Sequence, residues 1–407
     1  MTPFLLDISR LISRVGRGPF TGIDRVELAY FRELLDRPEP VFFLCRMPKS
    51  YAILDRGAGC EIFNKINGKT KWGSRGLARL VAPGATPDGQ AALADVWRLA
   101  QGKTPVSGLR DCFKRLFPSG VKYFNVGHSN LRGDVFEAVK RLEGSTIIVL
   151  IHDVIPLDYP QYSRPEVTER FQGDLERVGR FADRVIYNSE LTQRDAERYF
   201  QGWGRMPEGV VAHLGIDMPS GGASFLAASE RPSFCVVGTI EPRKNHLMLL
   251  EIWQGFAATL PAEEVPELHI MGRRGWNNEN VFKILDTDPM IGVHVFEHNS
   301  MSDSELQEQL AKCWATLFPS FAEGFGLPLV EAALLGVPVI CGENAIYREI
   351  LGDYPLYLNV DNSYRWSQRI LGRAGRIRES EVERQVRGKS VTISDWNGHF
   401  DRIFRFV

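Results

Sequence analysis

The chain has 407 residues, 44% of them hydrophobic, and a formal net charge of −1. That length exceeds one ordinary domain and can bury a full core, so two domains are expected, while near-neutral charge gives no global attraction to nucleic acid. No run approaches the roughly 20 apolar residues that span a bilayer, and the six cysteines (Cys45, Cys60, Cys112, Cys235, Cys313, Cys341) lack paired spacing, which suits a reducing cytoplasm and not a disulfide framework or zinc site.

The N-terminus has an acid at Asp7 and no apolar run of signal length; the expectation is a cytoplasmic protein, soluble or resting on the inner face of a membrane. Residues 4–8 read as a first strand. Residues 9–22 are rich in Arg and Gly and read as a loop. Ile23, Val26, Tyr30 and Leu34 then share one helical face. Strand, glycine loop and helix open a Rossmann-like domain, but no G-x-G-x-x-G occurs, which speaks against a bound dinucleotide. Residues 40–46 are a buried-type strand. Two basic clusters follow, Lys65, Lys69, Lys71, Arg75 and Arg79, then Arg110, Lys114, Arg115 and Lys122 interleaved with Phe113, Leu116 and Phe117. Each fits an anionic membrane surface or a diphosphate-linked lipid, or else a solvated face.

Residues 121–128 and 146–153 read as strands, the second rich in β-branched residues and suited to burial on both faces. His128 and His152 fall at their C-terminal ends, where open parallel sheets bind ligands. Either also reads as a core histidine. Residues 184–200 are a strand and a helix capped by Ser189, and 210–217 a short strand. The small-residue run 218–233 reads as a linker, with a domain boundary near 220.

The second half alternates strand and helix. Residues 233–239 are a strand, followed by a helix capped by Asn245. Strands follow at 267–272 and 292–297. Ser302 and Glu305 form a capping box before the next helix. Later come a strand at 337–341 and a helix at 345–351. This is a second Rossmann-like domain. Asp286-Thr287-Asp288 has the D-x-D spacing of a metal site but follows a helical run, and reads as a turn. Neither H-E-x-x-H nor a Cys–His metal pattern occurs. Residues 393–406 suggest an amphipathic terminal helix anchored by Trp396.

The most informative stretch is 316–336. Leu317 and Phe318 lie in a strand that Pro319 and Ser320 end. Gly324 and Gly326 let the backbone approach a ligand closely. Pro328 suits a first helical turn, and Gly336 stops the helix. A helix start favours a phosphate. Glu323 in the loop and Glu331 in the helix can accept hydrogen bonds from hydroxyl groups, Glu331 from a vicinal diol such as a ribose. The chemistry indicated is a nucleotide sugar.

Glu-Gly-Phe-Gly-Leu-Pro-x-x-Glu resembles the paired-glutamate signature of retaining glycosyltransferases of the GT-B type, family 4. Lys244, six residues after Gly238, resembles that family's phosphate-gripping lysine. Thr239 departs from the arginine usual there, and Arg243 is the substitute. Thr21-Gly22-Ile23 resembles the N-terminal glycine loop. His152-Asp153-Val154-Ile155-Pro156-Leu157 and Glu241-Pro242-Arg243-Lys244-Asn245 resemble bacterial polysaccharide mannosyltransferases.

The resemblance implies an α/β GT-B fold: two Rossmann-like domains facing a cleft, 1–220 and 221–390, with residues 391–407 packing back on the first. It implies that Glu331 binds the ribose. Lys244, Arg243 and the amides of residues 325–328 take the diphosphate, and Glu323 holds the sugar hydroxyls. His152 contacts the sugar. Gly22, Thr239, Gly324, Phe325, Gly326 and Leu327 face the donor. It implies no metal and no cofactor beyond the donor, GDP-mannose first, with UDP-sugars and GDP-fucose open. The acceptor is a glycan or lipid-linked saccharide. A sugar-nucleotide 2-epimerase and an inactive scaffold remain the alternatives.

Overall fold

The computed structural model describes residues 2–217, 231–375 and 393–407. The linker read at 218–233 and the boundaries near 220 and 390 fall wholly or mostly outside them. The chain forms two compact units. One comprises Met1–Val154, Glu166–Leu214 and Trp396–Val407, the other Ile155–Pro165 and Gly215–Asp395.

The first unit is built on an eight-stranded sheet. Its strands are β1 (Phe4–Asp7), β2 (Val41–Arg46), β3 (Ser50–Leu54), β4 (Gly102–Pro105), β5 (Lys122–Asn125), β6 (Thr146–Ile151), β7 (Arg184–Tyr187) and β8 (Glu208–Val211), in the order β4-β3-β2-β1-β5-β6-β7-β8. All pairs are parallel except those of β3 with β2 and β4. Strand β6 (TIIVLI) is buried along all but its first residue, as expected of a strand covered on both faces. The antiparallel β3 and β4 extend one edge, and the chain between them folds as helices Arg56–Ile66, Ala78–Val81 and Pro87–Leu99.

Four readings need correction in this unit. The Arg/Gly-rich run after β1 is not all loop: Ser9–Arg14 is helical because Leu11 and Ile12 are buried. Lys65 does not belong to a basic surface, since its ammonium lies 3.4 Å from the buried Asp95. Lys122 is likewise engaged, donating to the Val407 oxygen at 2.7 Å. The terminal helix, Trp396–Phe406, is anchored by His399, Phe400 and Ile403, while Trp396 is only partly buried. Phe400 packs edge-on against Tyr30, and Tyr30 Oη lies 3.0 Å from His399 Nε2.

The second unit has six parallel strands: β9 (Ser233–Val237), β10 (Glu267–Met271), β11 (Val295–His298), β12 (Ala315–Phe318), β13 (Val339–Gly342) and β14 (Leu356–Leu358). Their order is β11-β10-β9-β12-β13-β14. The order reverses between β9 and β12, so the loops leaving those two strands part to opposite faces and open a crevice at the C-terminal sheet edge. Trp253, Trp366, Leu249 and Phe234 are among the core side chains beneath. Ser302 and Glu305 make the expected capping box on helix Asp303–Lys312. Asn245 precedes helix His246–Thr259 in a left-handed conformation, but its side chain does not cap it. Asp286 and Thr287 end helix Glu279–Thr287 and are not a turn: Asp286 pairs with Arg274 at 2.7 Å, and Asp288 is the C-cap. Among the described residues no helix is long and apolar enough to cross a membrane.

Candidate active site

The reversal of strand order brings together two segments about eighty residues apart in sequence. After β9, Gly238 adopts φ 140°, and a Cβ there would lie 3.2 Å from Lys244 Cε. Lysine folds back over a residue that must lack a side chain, which explains the spacing between them. Pro242–Lys244 form one 3-10 turn. It presents Arg243 and Lys244 to the loop after β12.

Both cations meet Glu323. Lys244 Nζ donates to Glu323 Oε1. Arg243 Nη1 donates to Glu323 Oε2 at 2.9 Å and to the Ala322 carbonyl at 2.8 Å. Arg243 Nε lies 2.7 Å from Glu241 Oε1. Glu241 and Lys244 are buried, and the Glu323 side chain keeps 6% of its exposure. Burial works to raise the Glu323 carboxyl, but the charges and hydrogen bonds of Lys244 and Arg243 prevail and hold it at about 2. Burial also draws the Lys244 ammonium below its ordinary value, against the pull of Glu323. With Glu323 so low, the pair is ionised at neutral pH. Burial raises the Glu241 carboxyl against the pull of Arg243 and Lys244, and the two cations and two carboxyl groups form a desolvated cluster, where removing one partner is far costlier than the pair is stabilising.

The loop that carries Glu323 is held from several sides. Phe321 N–H donates to the Arg243 carbonyl at 2.8 Å. Asn344 Nδ2 donates to the Ser320 carbonyl at 3.0 Å. The ring of Phe321 stacks on Tyr162 at 5.5 Å and 12°, and Trp276 Nε1 donates to the Tyr162 carbonyl at 3.2 Å. Gly326 closes the loop at φ 89°, where a Cβ would stand 2.9 Å from the Tyr347 ring. Helix Leu327–Leu334 follows, with Pro328 in its first turn and the buried Glu331 in its second. Pro328 has no N–H, and the Leu329 N–H is taken by the Gly326 carbonyl. Of the amides expected around 325–328, the helix start itself therefore offers Gly326 and Leu327 to an anion.

Acid titration follows from the pair. A depressed carboxyl pKa contributes stability above its ordinary value, lost as pH falls through the native one. For Glu323 that window runs from 4.5 down to about 2, worth about 3 kcal/mol. The stability gap between wild type and Glu323→Gln is expected to narrow by that amount across the window in denaturant unfolding; a constant gap would show that Glu323 is not held by these cations.

Of the remaining expected residues, Gly22 and His152 lie in the first unit. Gly22 begins helix Gly22–Asp36, whose Asp24 carboxylate accepts from Thr21 N–H at 2.7 Å and lies 2.6 Å from Arg10 Nε. His152 follows β6 and is buried. Its Nε2 lies 2.7 Å from the Val126 carbonyl, which only accepts, so Nε2 bears the proton. Asn188 Nδ2 donates to the His152 carbonyl at 2.8 Å. Burial lowers its pKa to about 4, giving a neutral imidazole whose Nδ1 has the lone pair. His128, at φ 49°, accepts the His152 N–H on Nε2 at 3.3 Å. Thr239 follows Gly238 within the second unit, where the amide of the next residue, Ile240, bonds to the Arg273 carbonyl. Spacing could not reveal Glu241, Phe321, Tyr162 or Tyr347; the only hint was Glu241 standing two residues before Arg243.

Residues 223–365 match the family described as Glycosyl transferases group 1. The chain is 31% identical over 239 residues to the serotype-specific mannosyltransferase WbdA of Escherichia coli, covering 54% of this chain and 28% of that one. It is 34% identical over 119 residues to the O-antigen chain mannosyltransferase B of Escherichia coli, 29% of this chain and 30% of the relative. The chain therefore spans less than a third of the length of these relatives. A solved sucrose-phosphate synthase from Thermosynechococcus elongatus superposes with a TM-score of 0.60 at 14% identity, covering 100% of this chain and 98% of that one.

Proposed function

We propose that the protein is a retaining glycosyltransferase of polysaccharide synthesis, on the match of residues 223–365 to the glycosyl transferases group 1 family and on its two Rossmann-like units, the GT-B fold. It transfers a sugar from a nucleotide diphosphate, GDP-mannose as first donor, to a glycan or lipid-linked saccharide. The observation that carries this reading is the meeting of Lys244, Arg243 and Glu323 at the strand-order reversal, beside a helix start that holds Glu331. The similarity to two mannosyltransferases supports the choice of mannose.

In the proposed mechanism Glu331 accepts from the ribose hydroxyls. The incoming diphosphate replaces Glu323 as the partner of Lys244, so a buried cation is paired before and after binding. Glu323 then takes the sugar hydroxyls. The bond from the anomeric carbon to the phosphate breaks, and the acceptor oxygen adds on the same face. The acceptor's proton passes to the departing phosphate. Lys244, Arg243 and the helix amides stabilise the charge that develops on the leaving group, in the part a metal plays elsewhere. His152, as a neutral imidazole, contacts the sugar. The exposed basic residues near the acceptor side of the chain, Lys69, Lys71, Arg75 and Arg79, hold an anionic membrane surface where lipid-linked acceptors reside.

The test is incubation of the purified protein with GDP-mannose, UDP-sugars or ADP-sugars and a mannosylated oligosaccharide. GDP release with elongation of the acceptor by one α-linked mannose is expected. Epimerised sugar and free nucleotide without acceptor would identify an epimerase, and no turnover of any donor would leave a scaffold.

A further inference from the structure

The helix Ala78–Val81 is a single turn on the edge excursion of the first unit. Its large side chains face outward: Leu77 is 76% exposed, Leu80 68% and Val81 61%. Their spacing, i, i+3 and i+4, puts them on one helical face. Such a contiguous exposed triplet is costly in water and marks a contact surface. The turn is not a loose end. Ala78 is buried beneath it. On its N-terminal side Gly73 N–H donates to Asp95 at 2.8 Å, Arg98 Nη1 donates to the Ser74 carbonyl at 3.1 Å, and Lys65 Nζ donates to the Lys71 carbonyl at 2.9 Å. On its C-terminal side Gln90 Nε2 donates to the Ala82 carbonyl at 3.2 Å. The segment is thus pinned at both ends while its apolar face points away from the fold.

The charge around it selects the partner. Lys69, Lys71, Arg75 and Arg79 are all exposed, and no acidic residue occurs from 62 to 87. An apolar wedge flanked in sequence by exposed cations complements a bilayer with anionic headgroups: the side chains enter the acyl boundary while the cations stay at the headgroup level. The second basic cluster lacks this pattern. On helix Leu109–Leu116 the apolar Leu109, Cys112 and Phe113 face inward, and Phe117 beyond it is buried as well.

We propose that Leu77, Leu80 and Val81 insert into an anionic membrane leaflet and anchor the protein there. This deepens the membrane contact named above and rests on it, but not on the assignment of the donor. The test is co-sedimentation of the full chain with vesicles of phosphatidylcholine alone or with a minority of phosphatidylglycerol, at low and high salt. Wild type is expected to bind only the anionic vesicles. The double variant Leu77→Ser/Leu80→Ser is expected to bind about tenfold or more weakly. Arg75→Ser/Arg79→Ser is expected to bind several-fold more weakly, with a smaller loss at high salt. All these positions are exposed and none is among the residues assigned to the donor, so nucleotide binding in both variants should equal wild type and report intact folding. Undiminished binding of the leucine variant would overturn the wedge and leave surface charge alone. Absence of binding by wild type would overturn the membrane contact altogether. A leucine variant that turns a dimer into a monomer, with vesicle binding unchanged, would assign the triplet to a second copy of the chain and overturn the proposal.

Discussion

Replacing Lys244 by alanine is expected to lower sugar transfer by roughly 10²–10³-fold, the usual consequence of deleting one preorganised donor to a developing anion. The size follows from burial. Lys244 is 7% exposed, so little water can replace the ammonium beside the leaving phosphate, and its attraction is not diluted by bulk dielectric. The fold should survive, because Glu323 keeps Arg243 at 2.9 Å and the Ala322 carbonyl remains tied to the same guanidinium. Single-turnover release of the nucleotide, with thermal melting as control, separates the two effects. The expected result is a large fall in the chemical step in a protein that still folds and melts cooperatively, with a lowered melting temperature because buried Glu323 loses one of its two cations. Turnover within a few-fold of wild type, in a variant that still binds nucleotide, would remove Lys244 from the leaving group and return it to a structural cation.

Arg243 contrasts with its neighbour. Its Nε is held by Glu241 and its Nη1 by Glu323 and a backbone carbonyl. A planar guanidinium that bridges two carboxylates in this way is a rigid strut. It fixes the loop after β12 against the turn after β9, and so sets where Glu323 and Lys244 stand. A lysine could carry the charge but not the fork.

Local signals made much of the second unit legible. Ser302 with Glu305, Pro328 before the helix, and Gly336 after it each act within one turn of chain, and each stands where its chemistry predicts. The lysine six residues after Gly238 was legible because steric need couples the two. What escaped was non-local. The pairing of β3 with β4 joins residues some fifty apart, and the β4 segment, GKTP, has no alternation of apolar side chains to mark a strand. The short helix after β1 was masked by its arginines and glycines, although two apolar residues suffice to seat it. The closing of Glu323 on Arg243 and Lys244 spans about eighty residues; only the strand order, which sequence periodicity does not encode, brings them together. For the same reason Glu323 reads in sequence as a ligand for hydroxyl groups alone, whereas the structure also gives it the task of holding two buried cations.

Replacing Glu331 by alanine is expected to weaken nucleotide binding by roughly 10²-fold, since two hydrogen bonds from a diol to a buried carboxylate are worth about 3 kcal/mol or more. Alanine is the better helix former, so helix Leu327–Leu334 loses nothing in propensity. Calorimetry with GDP, UDP and ADP on wild type and variant reads this directly. A loss that is equal for all three would fit a carboxylate on the ribose, which they share. A loss confined to one would place Glu331 against the base instead. The wild-type preference then decides the donor independently of the variant: GDP selectivity keeps mannose first, and UDP selectivity discards it while leaving the cluster at β9 and β12 its role. In the proposed reading Glu331 acts on the ribose and not on the leaving group, so Glu331→Ala should raise the dissociation constant with little change in single-turnover rate at saturating donor. Lys244→Ala should do the opposite, and that division of effects distinguishes a binding carboxylate from a cation that acts on the leaving group.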